Sequence, residues 1–170
     1  MQKGPFQETM EPYSPSEQAN IELVKEYMLI AYSPTEASAH AVAHLCAPGN
    51  RFIAPTTFPG VNTLQEYAEA HAALMREIND LHITSFDVFF SKGDSVCLRY
   101  SAEGSHRGKP HGRLAATGKT ARWTACGIFR VMDGRLAEFI KEWDKLSMWE
   151  QLGWPTEECS IFRGQSVSAR

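Results

Sequence analysis

The sequence lacks the long apolar segments and the dense positive charge that would place it in a membrane or on a nucleic acid. No stretch approaches the roughly 20 consecutive apolar residues that a membrane helix requires. The formal net charge is −3, and no run of Lys and Arg interleaves with aromatic residues. Residues 1–15 are polar and contain proline, unlike the apolar segment of a secretion signal. We therefore expect a cytoplasmic protein without nucleic-acid or membrane partners.

Cysteine is scarce and its spacing does not suit a structural role. The four cysteines lie far apart and form no Cys-x-x-Cys pair: Cys46, Cys97, Cys126 and Cys159. Neither a disulfide framework nor a structural zinc site is expected. Cys97 and Cys126 fall within apolar strand patterns, which predicts small buried residues. His40 and His44 lie four apart on a predicted helix, but no third ligand accompanies them, so we expect exposed histidines.

The first half of the chain shows helical patterns. Ser14-Pro15-Ser16-Glu17 combines a hydroxyl cap, Pro at the first helical position and a Glu that can close a capping box. Ser33-Pro34-Thr35-Glu36 repeats this signal for a shorter helix. A third helix is predicted to begin at Asn62, with Gln65 completing its box and an apolar face that includes Met75.

The second half changes to the period of two that is typical of strands. Long strands are predicted around tight turns at Lys92-Gly93-Asp94 and Asp133-Gly134, with a basic, glycine-rich loop from Arg107 to Gly118. Helices followed by an antiparallel meander indicate an α+β fold. Because long strands twist, we expect a cone-shaped, curved antiparallel sheet that is covered by the N-terminal helices and encloses a cavity.

The chain is predicted to form one domain. Its 170 residues match the size of an ordinary globular domain, and no internal repeat is visible. We assign a flexible N-terminal segment to residues 1–13, a single domain to residues 14–154 and a loosely ordered tail to residues 155–170.

The last predicted strand, Leu136 to Asp144, carries the first candidate for chemistry. One face holds Glu138, Ile140, Glu142 and Asp144, and the other holds Phe139, Lys141 and Trp143. The carboxylates of Glu138 and Glu142 are compatible with a functional face or with a solvent-facing edge, and both alternatives remain open. Asp144 stands at the strand end beside Trp143, where partial desolvation would raise the pKa of its carboxyl towards that of a general base. Asp is equally a favoured N-cap for a helix that starts at Lys145, and both roles remain open.

His106 is the second candidate. It shares a strand face with Leu98 and Tyr100 and lies where that strand ends, so it could donate a proton or anchor a polar substrate group. The alternative is a hydrated histidine at the rim of the loop. His111, within the glycine-rich loop, is a weaker candidate.

Three stretches in the second half resemble the SnoaL-like polyketide cyclases of the nuclear-transport-factor-2-like superfamily. They are Lys92-Gly93-Asp94-Ser95-Val96 leading to Gly104-Ser105-His106-Arg107-Gly108; Thr117-Gly118-Lys119 leading to Gly127-Ile128-Phe129-Arg130; and Asp133-Gly134-Arg135-Leu136 through Glu138 to Trp143-Asp144-Lys145-Leu146 and Gln151-Leu152-Gly153. Each stretch is weak alone, but the ordered set is fairly specific.

The resemblance implies a cone-shaped α+β barrel that forms a homodimer or tetramer and uses no metal or organic cofactor. It implies ring closure of an aromatic polyketide by intramolecular aldol condensation, with the family's acidic residue at Asp144 and its histidine at His106. The expected pocket wall comprises Leu98, Tyr100, Trp123 and Ile140, with Met75 from the third helix. Glu142 stands where the family more usually has an apolar or amide residue, and Phe139-Ile140-Lys141 replaces a His-Trp pair, so the pocket floor differs.

Three functions are compatible with these residues. The first is an enzyme that performs Asp/His acid–base chemistry on a hydrophobic, oxygenated small molecule. The second is a non-catalytic ligand-binding or dimerising module of the same fold. The third is another enzyme on this fold, but Arg99-Tyr100-Ser101 lacks the acid of the epoxide hydrolase pattern, and a ketosteroid isomerase needs a convergence of groups that a sequence does not reveal.

Overall fold

The computed structural model describes residues 12–158, and the predicted flexible segment and tail lie mainly outside this range. In chain order the elements are α1 (Pro15–Ala31), α2 (Ala39–Val42), β1 (Cys46–Ile53), α3 (Leu64–Leu74), β2 (His82–Lys92), β3 (Ser95–Ser105), β4 (Thr120–Met132), β5 (Arg135–Trp143) and α4 (Lys145–Leu152), with short 3-10 turns at Ala43–Leu45 and Thr156–Glu158. Within the described range, none of the helices has both the length and the hydrophobicity of a transmembrane span.

The helix starts follow local capping chemistry. Ser14 caps α1 and forms the predicted box with Glu17. The cap of α3 is Thr63, one residue later than predicted, because Glu66 closes its box. The predicted second helix is reduced to one α-helical turn followed by a 3-10 turn.

All five strands form one sheet in the order β1-β5-β4-β3-β2. Strands β2 to β5 form the predicted antiparallel meander. The expectation of a wholly antiparallel sheet is wrong, because β1 adds in parallel to β5 with Phe52 opposite Phe139. The sequence contains no turn motif that predicts this pairing, because the two strands are far apart in the chain. The α+β class is confirmed, with a mixed sheet.

Strict alternation separates the two faces of the sheet. Along β4 every second residue is buried, from Ala121 to Val131, and the residues between them are exposed. Cys97 and Cys126 lie on the exposed face, which corrects their predicted burial. Their strand patterns were correctly identified, but a strand with apolar residues on both faces does not show which face the helices cover.

Aromatic rings fill the space between the sheet and the helices. Phe129 and Phe139 stack with ring centroids 4.0 Å apart, and Tyr27 of α1 meets both rings edge-on. Gly127 makes room for this stack, because a Cβ placed there would lie 2.8 Å from the Phe139 ring and 3.2 Å from the Phe129 ring. The close-packed core therefore depends on a missing side chain at the centre of β4.

We expect Gly127→Ala to lower the free energy of unfolding by about 1–2 kcal/mol, because overpacking a buried ring stack outweighs the smaller entropy gain of alanine. Urea unfolding monitored by circular dichroism measures this change. Cys126→Ala is the matched control on the exposed face of the same strand and should change stability by less than about 0.5 kcal/mol. Equal stability of Gly127→Ala and the wild type would contradict the assigned packing.

Candidate functional site

The inward face of β5 is the one that carries Lys141. Phe139 and Lys141 are buried, and Trp143 packs against the core from the same face. Two predicted pocket residues therefore lie on the opposite face: Glu142 is exposed, and the half-buried Ile140 pairs with Ile128 on the outer side. The prediction chose the wrong face of β5 because carboxylates were given more weight than the aromatic residues that alternate with them.

The other predicted pocket residues lie inside. Met75 follows α3 and is buried, as are Leu98, Tyr100 and Trp123 on the inward faces of β3 and β4. The Tyr100 hydroxyl forms a 2.7 Å hydrogen bond with the hydroxyl of Tyr32, at the end of α1. All four side chains belong to the packed hydrophobic core between the sheet and the helices.

Asp144 is exposed and is the N-cap of α4. Its carboxylate accepts a 2.9 Å hydrogen bond from the backbone N–H of Ser147. The capping role that the sequence left open is therefore the one that the structure displays. Asp144 is exposed and is not enclosed by the aromatic residues beside it, so it lacks the desolvation that was expected for a catalytic base.

His106 is completely buried and its ring nitrogens are both engaged. Nδ1 accepts from the Trp154 indole N–H at 3.0 Å and from the Thr117 backbone N–H at 3.2 Å. Nε2 then donates to the carbonyl of Lys109 at 2.9 Å. This arrangement favours the neutral tautomer with a proton on Nε2. His106 thus holds Trp154 and the glycine-rich loop in place.

Lys141 occupies the centre of the cone in a cage of aromatic rings. Its Nζ lies between 4.8 and 5.8 Å from the ring centroids of Trp143, Phe58, Tyr67 and Tyr32. It donates to the Tyr67 hydroxyl at 3.0 Å and lies 3.4 Å from the Tyr32 hydroxyl. None of the ion pairs among residues 12–158 includes it. A buried lysine without a carboxylate is costly, and such groups concentrate at functional sites.

Burial shifts the ionisation of several groups in this interior. Desolvation lowers the pKa of Lys141 to about 7. Desolvation, together with the nearby Lys141, lowers the pKa of His71 to about 3, and His71 Nδ1 donates to the carbonyl of Ala31 at 2.7 Å. Burial also raises the pKa of Tyr32 to about 12. Near neutral pH the interior around Lys141 therefore contains protonated phenols, the neutral imidazole of His71 and an amine that is only partly charged.

An apolar groove opens beside this cage. Its volume is about 310 Å³, within the range of small-molecule sites. It lies between α3, the turn that follows β1, and α4, and is lined by Thr57, Phe58, Pro59, Val61, Ala70, Ala73, Leu74, Glu77, His111, Trp143, Lys145, Met148, Trp149 and Trp154. Phe58 and Trp143 belong to both the groove and the Lys141 cage, so these two rings connect the two parts of the site.

A histidine and a carboxylate are paired on the wall of this groove. His111 Nδ1 donates to Glu77 at 2.7 Å, and both side chains are only partly exposed. The His111 ring stacks on Trp154 with centroids 3.8 Å apart and planes 4° apart, and it meets Trp149 edge-on. With its proton on Nδ1, the neutral imidazole has its lone pair on Nε2, which is the arrangement of a positioned general base.

The loop that carries His111 is fixed against the chain after α3. The backbone N–H of Gly108 donates to the Glu77 carbonyl, and that of Lys109 donates to the Arg76 carbonyl. A Cβ at Gly108 would lie 2.1 Å from the Arg76 oxygen, so only glycine permits this approach. His111 is thus brought to Glu77 by backbone contacts.

Two polar groups of groove-lining residues are buried without a hydrogen-bond partner among the described residues. They are the hydroxyl of Thr57 and the indole N–H of Trp143. The carbonyl of Thr57 accepts from Lys145, whose ammonium also lies over the Trp149 ring. Unpaired buried donors are uncommon in folded proteins and suggest a place for a polar ligand atom.

The sequence indicated this site only in part. His111 was ranked below His106, and Glu77 was not considered, because the contact between them joins a loop to the end of a helix. Lys141 could have been found from its pattern, since a charged residue between Phe139 and Trp143 on an aromatic strand face is unusual. No group of three or more potential metal-ligating side chains occurs in the described range.

The mixed five-stranded sheet covered by helices is shared with a solved structure of the ketosteroid isomerase-like fold. A protein from Catenulispora acidiphila DSM 44928 with that fold, solved in complex with trimethylamine, is similar at a TM-score of 0.62 and 14% identity, over 80% of this chain and 95% of that one. A protein from Jannaschia sp. CCS1, described as a SnoaL-like polyketide cyclase, gives a TM-score of 0.72 at 18% identity, over 86% and 99% of the chains. IdmH from Streptomyces antibioticus, described as a polyketide cyclase, is similar at a TM-score of 0.67 and 21% identity, over 79% of this chain and 98% of that one.

Sequence comparison identifies the family. The profile of the SnoaL-like polyketide cyclases matches residues 31–152, which is well over half of the chain. The chain therefore belongs to this family, as its three sequence stretches predicted. No curated protein sequence matches it. The structural neighbours are too distant in sequence to show more than the fold.

We expect Asp144→Ala to lower the free energy of unfolding by about 1 kcal/mol, because it removes the N-cap of α4. Asp144→Asn should keep a free energy of unfolding close to that of the wild type, because asparagine is also a favoured N-cap. Urea unfolding near neutral pH measures both. Glu142→Ala, two residues earlier and also exposed, is the control and should be nearly neutral. A wild-type stability for Asp144→Ala would show that the cap contributes nothing.

We expect Lys141→Met to raise the free energy of unfolding near neutral pH, because methionine fills an aromatic cage without a desolvated charge. Between pH of about 7 and 10.5, the unfolded wild type keeps a proton that the folded protein has lost. Wild-type stability should therefore rise with pH in this window, by up to about 1.4 kcal/mol per pH unit from this residue.

Unfolding in urea from about pH 6 to about pH 9 tests this dependence, below the ionisation of most tyrosines. The stability difference between Lys141→Met and the wild type should narrow as the pH rises. Lys109→Met, an exposed lysine, should follow the wild-type curve. Parallel curves for Lys141→Met and the wild type would contradict the assigned burial of the amine.

Proposed function

We propose that the protein is a cofactor-independent enzyme that performs acid–base chemistry on a planar, hydrophobic, carbonyl-bearing molecule in the groove. The observation that carries this proposal is the Glu77–His111 hydrogen bond on a wall otherwise built from tryptophan and aliphatic side chains. It keeps the acid–base chemistry expected for the family and assigns it to a different histidine and carboxylate from Asp144 and His106.

The reaction class is ring closure of the aldol type or a related isomerisation. His111 Nε2 removes a proton from a carbon next to a carbonyl, and Glu77 stabilises the resulting imidazolium. In ring closure the enolate carbon attacks a second carbonyl of the same molecule, and the imidazolium returns the proton to the new alkoxide. The indole N–H of Trp143 and the hydroxyl of Thr57 are suited to hold the carbonyl oxygens on which negative charge develops.

The groove suits a flat aromatic substrate. Trp143, Trp149 and Trp154 supply large apolar walls, and the His111 ring is itself held by stacking. Stacking fixes the plane of a ligand, while hydrogen bonds fix its rotation within that plane. The names of the neighbouring structures include two polyketide cyclases, which agrees with an oxygenated aromatic substrate.

The experiment uses 5-nitrobenzisoxazole, a planar aromatic probe whose ring opening by removal of a C–H proton is followed by absorbance. We expect His111→Gln to lower kcat/KM by about 10²–10⁴-fold, the usual contribution of a positioned base. Glu77→Gln should lower kcat and shift the pH profile, because the imidazolium loses its carboxylate. Binding of 2-naphthol, measured by quenching of tryptophan fluorescence, should persist in both variants.

The matched control is His44→Gln, since His44 lies 3.6 Å from Glu26 in an exposed pair away from the groove. This control should have wild-type kinetics. An unchanged rate for His111→Gln would refute the assigned base. Binding of 2-naphthol without any His111-dependent rate would refute the enzyme and favour the second function, a ligand-binding module.

A further inference from the structure

The amine of Lys141 lies next to two of the side chains that line the groove. Its Nζ is 4.8 Å from the Trp143 ring centroid and 5.1 Å from that of Phe58, and both rings line the groove. The groove and the amine therefore share two aromatic side chains. The acid–base role proposed for His111 makes no use of this amine.

The surroundings of the amine favour nucleophilic chemistry over ion pairing. Within residues 12–158 its hydrogen-bond partners are the hydroxyls of Tyr67 and Tyr32, and the latter is bonded in turn to the hydroxyl of Tyr100. A hydroxyl accepts a hydrogen bond from the amine and can donate one to a neighbour, and, unlike a carboxylate, it brings no negative charge that would hold the amine in its protonated form. Desolvation also lowers the pKa of the amine, so a large fraction is neutral and nucleophilic near pH 7.

We propose that Lys141 forms an imine with an aromatic aldehyde or ketone that enters through the groove. The Nζ lone pair attacks the carbonyl carbon and an N–C bond forms. A proton moves from nitrogen to the carbonyl oxygen through the tyrosine hydroxyls, giving a carbinolamine. The remaining N–H proton then passes to the hydroxyl group through the same tyrosine hydroxyls, the C–O bond breaks, the nitrogen lone pair forms the C=N bond and one water molecule leaves. The carbonyl compound and the amine thus yield an imine and water without any redox partner.

Phe58 is the side chain that must move for this reaction. It lies in the turn after β1, outside any helix or strand, and it is only half-buried. Trp143, in contrast, is held in β5 opposite Ala125. Rotation of the Phe58 ring opens the groove onto Nζ without disturbing the sheet. Once formed, the imine would acidify the neighbouring C–H bonds, which serves the same reaction class as the proposed function.

The test traps the imine as a stable amine. The full-length protein is incubated with 2-naphthaldehyde and sodium cyanoborohydride near pH 7, and the adduct is located by intact-mass measurement and peptide mapping. We expect Lys141 to be labelled at least about tenfold faster than the exposed Lys92 and Lys109 of the same molecule, because an ordinary lysine is almost wholly protonated at this pH. Phe58→Ala should accelerate labelling of Lys141 several-fold, and Phe58→Leu should do so to a smaller extent.

Lys141→Met is the matched variant and should lose the fast phase of labelling while slow labelling of surface lysines continues. The proposal is overturned if Lys141 stays unlabelled in the wild type, or if Lys141→Met retains the fast phase. Labelling no faster in both Phe58 variants than in the wild type would overturn the assigned route. Trapping is read by mass and requires no turnover, so its outcome is separate from the rate test on His111.

Discussion

The burial of the Lys141 amine among aromatic rings is the constraint on which the interior of this protein depends. An ammonium group in such a place loses its hydration and finds hydroxyls in place of a carboxylate, here those of Tyr67 and Tyr32. Burial acts on the neighbouring groups as well: desolvation raises the pKa of Tyr32, so its phenol stays protonated, and desolvation together with Lys141 lowers the pKa of His71, so its imidazole stays neutral. We expect a hydrophobic residue at this position to give a more stable core, which is why the lysine is a candidate for function.

A second set of contacts shapes the groove. His106 and Asp144, the two residues predicted to be catalytic, take part in these contacts. His106 holds Trp154 through the indole N–H, and Trp154 stacks on His111. Asp144 caps α4, the helix that contributes Trp149 to the groove. The residues that match the family motif therefore lie next to the groove. The motif did not identify which side chains line the groove, because a motif also records residues that shape the site.

Most of the fold could be predicted from local signals. The capping box of Ser14 and Glu17, the turn at Asp133-Gly134 and the alternation of β4 all depend on residues close in sequence, and each is found in the structure. The parallel pairing of β1 with β5 could not be predicted in this way, because contacts between distant segments leave no turn or spacing signal. The contact between Glu77 and His111 could not be predicted for the same reason, because these residues are also distant in sequence.

By itself the sequence determined the α+β class, the order of the elements and membership of the SnoaL-like family, because these follow from periodicity, caps, turns and ordered motifs. Only the tertiary structure decided which face of β5 is internal. A strand's alternation divides its residues into two sets, but packing of the helices selects the set that is buried. That selection placed Lys141 inside and left Glu142 in solvent. It moved the candidate chemistry from Asp144 and His106 to Glu77, His111 and Lys141.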